Sequence, residues 1–81
     1  MPRGFELRTV EVPAGAERIY EEAEWRDAIV VIARGEIELE CLGGSRLRLE
    51  RGTVLWLVGL PLRALHNGGV EAALLLAVSR R

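Results

Sequence analysis

The sequence predicts an all-β domain of short antiparallel strands, and three observations carry that prediction. Glycine and proline interrupt the 81 residues at Pro13 and Gly15, Gly35, Gly43 and Gly44, Gly52, Gly59 and Pro61, and Gly68 and Gly69. Runs of about four to eight residues are left between most of them, which is the length of ordinary strands. Two runs alternate apolar and polar residues with a period of two, and three others are apolar at odd and even positions alike. Hydrophobic residues make up 49% of the chain against 28% charged, a balance that excludes disorder and fits a packed globule.

Taken along the chain, residues 28–33 (Ala-Ile-Val-Val-Ile-Ala) are the first wholly apolar run. From Glu36 to Cys41 the order Glu-Ile-Glu-Leu-Glu-Cys alternates without a break, so Ile37, Leu39 and Cys41 share one face and the three glutamates the other. Arg46-Leu47-Arg48-Leu49 alternates in the same way. Gly43-Gly44 is expected to join these two strands as a tight hairpin turn with positive φ at both glycines. Glu38 and Glu40 then meet Arg46 and Arg48 across the strands, in exposed pairs worth roughly 0.2–1 kcal/mol each. Residues 54–58 and 72–78 are again apolar throughout. The second of these favours helix by propensity, but a closing strand is needed after the Asn67-Gly68-Gly69 turn, which assigns it to β.

A strand with no polar face is covered on both sides. One small domain has a single interior, so part of the second covering is expected from another subunit, and the chain is read as a homodimer. No internal repeat or linker divides it, and residues 1–81 are expected to form one domain. Eleven basic and twelve acidic side chains nearly cancel, which gives no overall pull toward nucleic acid or an anionic membrane. The single cysteine, Cys41, cannot form an internal disulfide, as suits a reducing cytoplasm. Residues 1–8 contain no apolar signal core, and residues 72–78 fall far short of the ~20 that a spanning helix needs. A soluble cytoplasmic protein is the expectation.

Two spaced motifs suggest more. Gly15 is followed at fixed intervals by Glu21, Ala23, Ala28 and Gly35, and Gly52 by Val58, Arg63 and Asn67. In order and separation these resemble the two motifs of the cupin superfamily, and residues 12–78 as a whole resemble a minimal single-domain member. The resemblance implies an antiparallel jelly-roll barrel. Where that family places two histidines, a glutamate and a third histidine, this chain has Glu21, Ala23, Ala28 and Arg63. A shifted spacing of the first motif offers Glu22 and Glu24 instead. Alanine has no donor atom and arginine repels a cation, so the resemblance implies a cupin-like protein lacking the metal ligands, with no cofactor and no metal.

The resemblance also points Arg63 into the barrel. Two roles are open for it: an internal ion pair with Glu21, Glu22 or Glu24 near the mouth, or an anchor for the carboxylate or phosphate of a small anionic ligand. Trp56 and Trp25 are candidates for a pocket floor, although large aromatics in so small a domain more often anchor a core or an interface. The pocket expected from the sequence is therefore Arg63 with Glu21, Glu22, Glu24 and Trp56. His66, the one histidine, lies on the opposite face from Arg63 in an extended strand and has no second imidazole to work with. No Ser-His-Asp set, phosphate loop or zinc cluster is visible, and no catalytic residue is assigned. The function expected is a metal-free, non-enzymatic module that binds a small ligand or serves structurally as a dimer. The alternatives are a metal-independent epimerase or isomerase of the cupin kind, and a sensor module for a separate regulatory partner.

Overall fold

The computed structural model describes residues 4–57 and 59–80. Eight strands and one helical turn follow in order: β1 (Phe5–Val12), β2 (Glu17–Ile19), α1 (Glu22–Trp25), β3 (Ala28–Arg34), β4 (Glu36–Cys41), β5 (Arg46–Glu50), β6 (Val54–Trp56), β7 (Leu62–His66) and β8 (Ala73–Arg80). They form two antiparallel four-stranded sheets, β1-β8-β3-β6 and β2-β7-β4-β5. The segment with helical propensity is strand β8, because β1 and β3 hydrogen-bond it on both edges. Two ladders outweigh the few tenths of a kcal/mol per residue by which its alanines and leucines prefer a helix. Val58, the residue at the end of the 54–58 run, lies outside the described residues.

The expected barrel is not formed. Among the described residues neither sheet closes on itself, and β1 and β6 end one sheet while β2 and β5 end the other. Closure needs a ladder that continues around each corner with tilted strands, and β2 and β6 have three residues each. The Cα extents of 41 × 27 × 17 Å are those of two thin layers, as expected for sheets packed about 10 Å apart with no lumen.

Side chains fill the space between the layers. Val10, Val12, Val30, Ile32 and Leu75 of the first sheet pack against Ile37, Leu39, Leu49 and Leu65 of the second, with Trp25 and Leu57 wholly buried among them. Burying each large apolar side chain contributes roughly 1.5–3 kcal/mol. Burial in β3 and β8 alternates although their sequences do not: Ala28, Val30 and Ile32 are buried, while Ile29 and Val31 are only half-buried on the outer side.

Local backbone chemistry sets the connections. The β4–β5 hairpin closes over residues 42–45, with Gly44 N donating to Cys41 O at 2.9 Å and Cys41 N to Ser45 O at 2.8 Å. Of the two glycines only Gly44 has positive φ, at 99°, so the turn is longer than the expected two-residue type. Gly35 (φ +74°) carries a closer constraint, since a Cβ there would stand 2.9 Å from the carbonyl oxygen of Ala72. Asn67, 1% exposed, donates from Nδ2 to Val12 O at 2.8 Å and to Glu71 O at 2.9 Å, and its Oδ1 accepts from Gly69 N. It ties the end of β1 to the turn that leads into β8.

Candidate functional site

Chemistry-bearing side chains gather on the outer face of the second sheet. Ile37 and Leu39 of β4 point into the core, so Glu36, Glu38 and Glu40 stand on the opposite side. Strand β7 pairs with both β2 and β4, which aligns Glu17 with His66 and Glu38 in one row and Ile19 with Ala64 and Glu40 in the next. The register between β7 and β4 then slips, for Leu62 pairs with Cys41 directly after Ala64 has paired with Glu40. Arg63 is left as the extra residue of a bulge and turns outward, 55% exposed along its side chain. The sequence places His66 and Arg63 on opposite faces; the bulge sets both beside Glu40.

Glu40 is the hub of this cluster. Its Oε1 lies 2.7 Å from His66 Nε2, its Oε2 lies 3.6 Å from Arg63 Nε, and Arg46 Nη2 approaches Oε1 to 3.9 Å. The hydrogen bond with His66 holds the Glu40 carboxyl below its usual value; partial burial opposes this, and the charges of Arg46, His66 and Arg63 add to it. Of the pairs expected between β4 and β5, Arg46 meets Glu38 diagonally at 2.7 Å, whereas Arg48 meets Glu36, at 2.5 Å, in place of Glu38 or Glu40.

Glu17, Glu40 and His66 bring one ligand atom each to within 4.8 Å of one another. Two carboxylates and an imidazole form a mixed oxygen and nitrogen donor set of the kind that suits divalent transition metals. The expectation of a metal-free chain lacking metal ligands is overturned by this cluster. The motif slots filled by Glu21, Ala23, Ala28 and Arg63 offered no such set, whereas these three donors come from other positions on β2, β4 and β7. Nothing in their spacing of 23 and 26 residues marks them as a group; only the pairing of β7 with two non-consecutive strands does. The outward parity of Glu40 in its alternating strand was the one signal available beforehand.

The other residues singled out by sequence are dispersed. Glu24, in α1, is engaged by Arg18 and, at 3.2 Å, by Arg8, whose guanidinium also sits 5.2 Å from the Trp25 ring centroid. Arg8 and Arg18 hold Glu24, one of the three glutamates expected as partners of Arg63, which stands beside Glu40 instead. Glu21 and Glu22 are exposed, and Trp56 is 55% exposed on the outer face of the first sheet. Two donors close to Glu24, Arg18 Nε and Trp25 Nε1, are buried without a partner among the described residues. A recess of about 430 Å³ opens where β3, β4 and β5 meet the turn before β8, lined by Arg34, Arg48 and Arg51 and by Glu36, Glu50 and Glu71. Its balanced charges favour neither anion nor cation.

Solved structures share this two-sheet arrangement. Protein NMB1881 from Neisseria meningitidis matches 100% of this chain and 78% of its own with a TM-score of 0.68 at 10% identity. The Cnp3 cupin domain from Schizosaccharomyces pombe matches 96% of this chain at a TM-score of 0.67 and 24% identity. The fold is cupin-like. An RmlC-like cupin protein from Desulfovibrio desulfuricans agrees, with a TM-score of 0.62, 18% identity, and 98% of this chain and 74% of its own covered. The chain spans only 54% of the Cnp3 cupin domain's chain, so it corresponds to part of that protein. No protein-family model matches, and no curated protein matches by sequence. At these identities the likeness establishes the cupin-like architecture and leaves the chemistry to this chain's own residues.

Proposed function

We propose that residues 1–81 form a single cupin-like domain that binds a divalent transition-metal ion on the outer face of its second sheet, through Glu17, Glu40 and His66. The observation that carries this reading is the convergence of the three donors within 4.8 Å. His66 Nε2 and Glu40 Oε1 stand 2.7 Å apart and share a proton. Ligands on a tetrahedral ion at about 2.0–2.1 Å stand about 3.3 Å from each other, so a small outward movement exchanges that proton for the metal. Glu17 is exposed and the other two are half-buried, which leaves coordination positions open to water or a ligand. Arg63 stands beside Glu40, and a small anion on an open position meets its guanidinium.

A metal ion and a proton compete for the lone pair of His66 Nε2, so binding there displaces the proton from that nitrogen. The same reading retains self-association, for which the other sheet has an uncovered face, and a reducing compartment, where the free Cys41 stays a thiol. No helix among the described residues is long and apolar enough to cross a membrane.

Equilibrium dialysis against micromolar zinc or manganese, followed by elemental analysis, tests the metal reading. About one ion per chain is expected, lost in Glu40→Gln and in His66→Gln. An ion retained equally by both variants assigns the metal to other residues.

A further inference from the structure

The recess where β3, β4 and β5 meet the turn before β8 is lined by charges of both signs that do not neutralise one another. Its volume of about 430 Å³ lies within the roughly 300–1,000 Å³ of small-molecule sites. Arg48 is held by Glu36 at 2.5 Å. The side chains of Arg34, Arg51, Glu50 and Glu71 make no ion pair and no hydrogen bond among the described residues. Two guanidiniums and two carboxylates are thus left unpaired around one hollow. Glu36 and Glu50 also stand directly opposite each other in the β4–β5 register, and like charges so placed destabilise a ladder. Arg48 attends to Glu36 and leaves Glu50 without a cation.

The backbone that carries these charges is held in place. Asn67, the one buried polar side chain among the described residues, accepts from Gly69 N and donates to Glu71 O, and Gly69 and Glu71 both line the recess. On the facing side, Gly35 packs so closely on Ala72 that a Cβ would meet its carbonyl oxygen at 2.9 Å. That contact seats Arg34 and Glu36, the neighbours of Gly35, against the same turn. A wall that is already ordered spares a ligand the cost of ordering it. We propose that this recess binds a small zwitterion, a molecule that carries an ammonium group and a carboxylate a few bonds apart, as amino acids do. Arg34 and Arg51 meet the carboxylate with planar guanidiniums, and Glu50 and Glu71 meet the ammonium. A simple anion satisfies the arginines but is repelled by the glutamates, and a simple cation suffers the reverse. A ligand of both signs gains on both sides, and a cleft strengthens each attraction relative to open surface. The recess shares no residue with the Glu17–Glu40–His66 cluster, so the inference stands apart from the metal reading.

The test uses the full chain in metal-free buffer at constant ionic strength, with backbone amides followed by proton–nitrogen NMR. Glycine, β-alanine and γ-aminobutyrate hold their two charges at increasing separations, while acetate and methylammonium carry one charge each. At least one of the three zwitterions is expected to shift the amides of Gly35, Gly69 and Glu71 saturably at millimolar concentration, and to bind about tenfold or more tightly than either single-charge ion. The amide of Gly44, in the hairpin away from the recess, is expected to stay in place. Arg51→Gln and Glu50→Gln replace exposed side chains and leave the core intact; each is expected to weaken zwitterion binding about fivefold or more. Saturation by none of the zwitterions, equal binding of acetate or methylammonium, or an affinity that either variant leaves unchanged overturns the proposal.

Discussion

His66 Nε2 meets Glu40 Oε1 at 2.7 Å across the β4–β7 ladder, and this contact organises the polar face of the second sheet. It orients the one imidazole of the chain, and it keeps a carboxylate ionised next to two arginines. Both effects prepare the pair to exchange a shared proton for a metal ion.

The first expectation concerns acid. The folded-state pKa of Glu40 is lowered from its ordinary 4.5, chiefly by the hydrogen bond from His66. A depressed carboxyl pKa contributes stability that is complete above the ordinary value and is lost as pH falls through the lower, folded-state value. A carboxyl-detected NMR titration is therefore expected to place the Glu40 midpoint below 4.5, and Glu40→Gln to move it out of the spectrum. A midpoint at or above the ordinary value contradicts the contact.

Arg63→Met is expected to be mild. The guanidinium is 55% exposed, and its contact with Glu40 is long, at 3.6 Å. An exposed pair of this kind is worth at most about 1 kcal/mol, and the substitution strands no buried carboxylate. Chemical denaturation showing a loss of about 3 kcal/mol would return Arg63 to the interior position that the motif suggested.

Glu24→Gln is expected to cost more, on the order of 1–3 kcal/mol. The Glu24 carboxylate serves Arg8 and Arg18 together, and Arg18 Nε already lacks a partner among the described residues. Removing the shared anion leaves two half-buried guanidiniums beside each other without the carboxylate between them. Equal stability of the variant and the parent in urea would show that solvent carries both charges.

Gly35→Ala tests the turn between β3 and β4. An L-residue at φ +74° is strained, and its Cβ would stand 2.9 Å from Ala72 O and 3.0 Å from Ala73 Cα, both backbone atoms. Neither neighbour can swing aside, so a loss on the order of 2 kcal/mol or more is expected. Gly15→Ala provides the comparison, with positive φ and open space around it; its loss is expected to be the smaller of the two. The reverse order in thermal melts would contradict the packing of that turn.

The strands were legible wherever a local rule decides them. Alternation from Glu36 to Cys41 gave both the strand and its inward face, and the rhythm of glycine and proline placed most of the others. The role of Asn67 was legible as turn chemistry, though not its hydrogen bond to Val12 O, 55 residues away. Closure of the sheets was not legible, because it depends on how far short end strands such as β2 and β6 extend. The motif resemblance pointed Arg63 into the barrel, and parity set it on the face opposite His66; the side chain stands outward, 55% exposed, beside the same Glu40 as His66. Period-two parity assumes an unbroken ladder, and one extra residue in β7 reverses it. The Glu17–Glu40–His66 cluster depends on the same non-local pairing of β7 with β2 and β4, which no window of sequence contains.

His66 is the only histidine in the chain, so its imidazole nitrogens can be followed without ambiguity. Long-range proton–nitrogen NMR during a zinc titration is the most direct test of the site. At one equivalent of zinc the His66 Nε2 resonance is expected to move to a metal-bound position, with little such change in Glu17→Gln or Glu40→Gln. An imidazole spectrum that stays unchanged through excess zinc, in a chain that remains folded, would contradict metal binding at Glu17, Glu40 and His66.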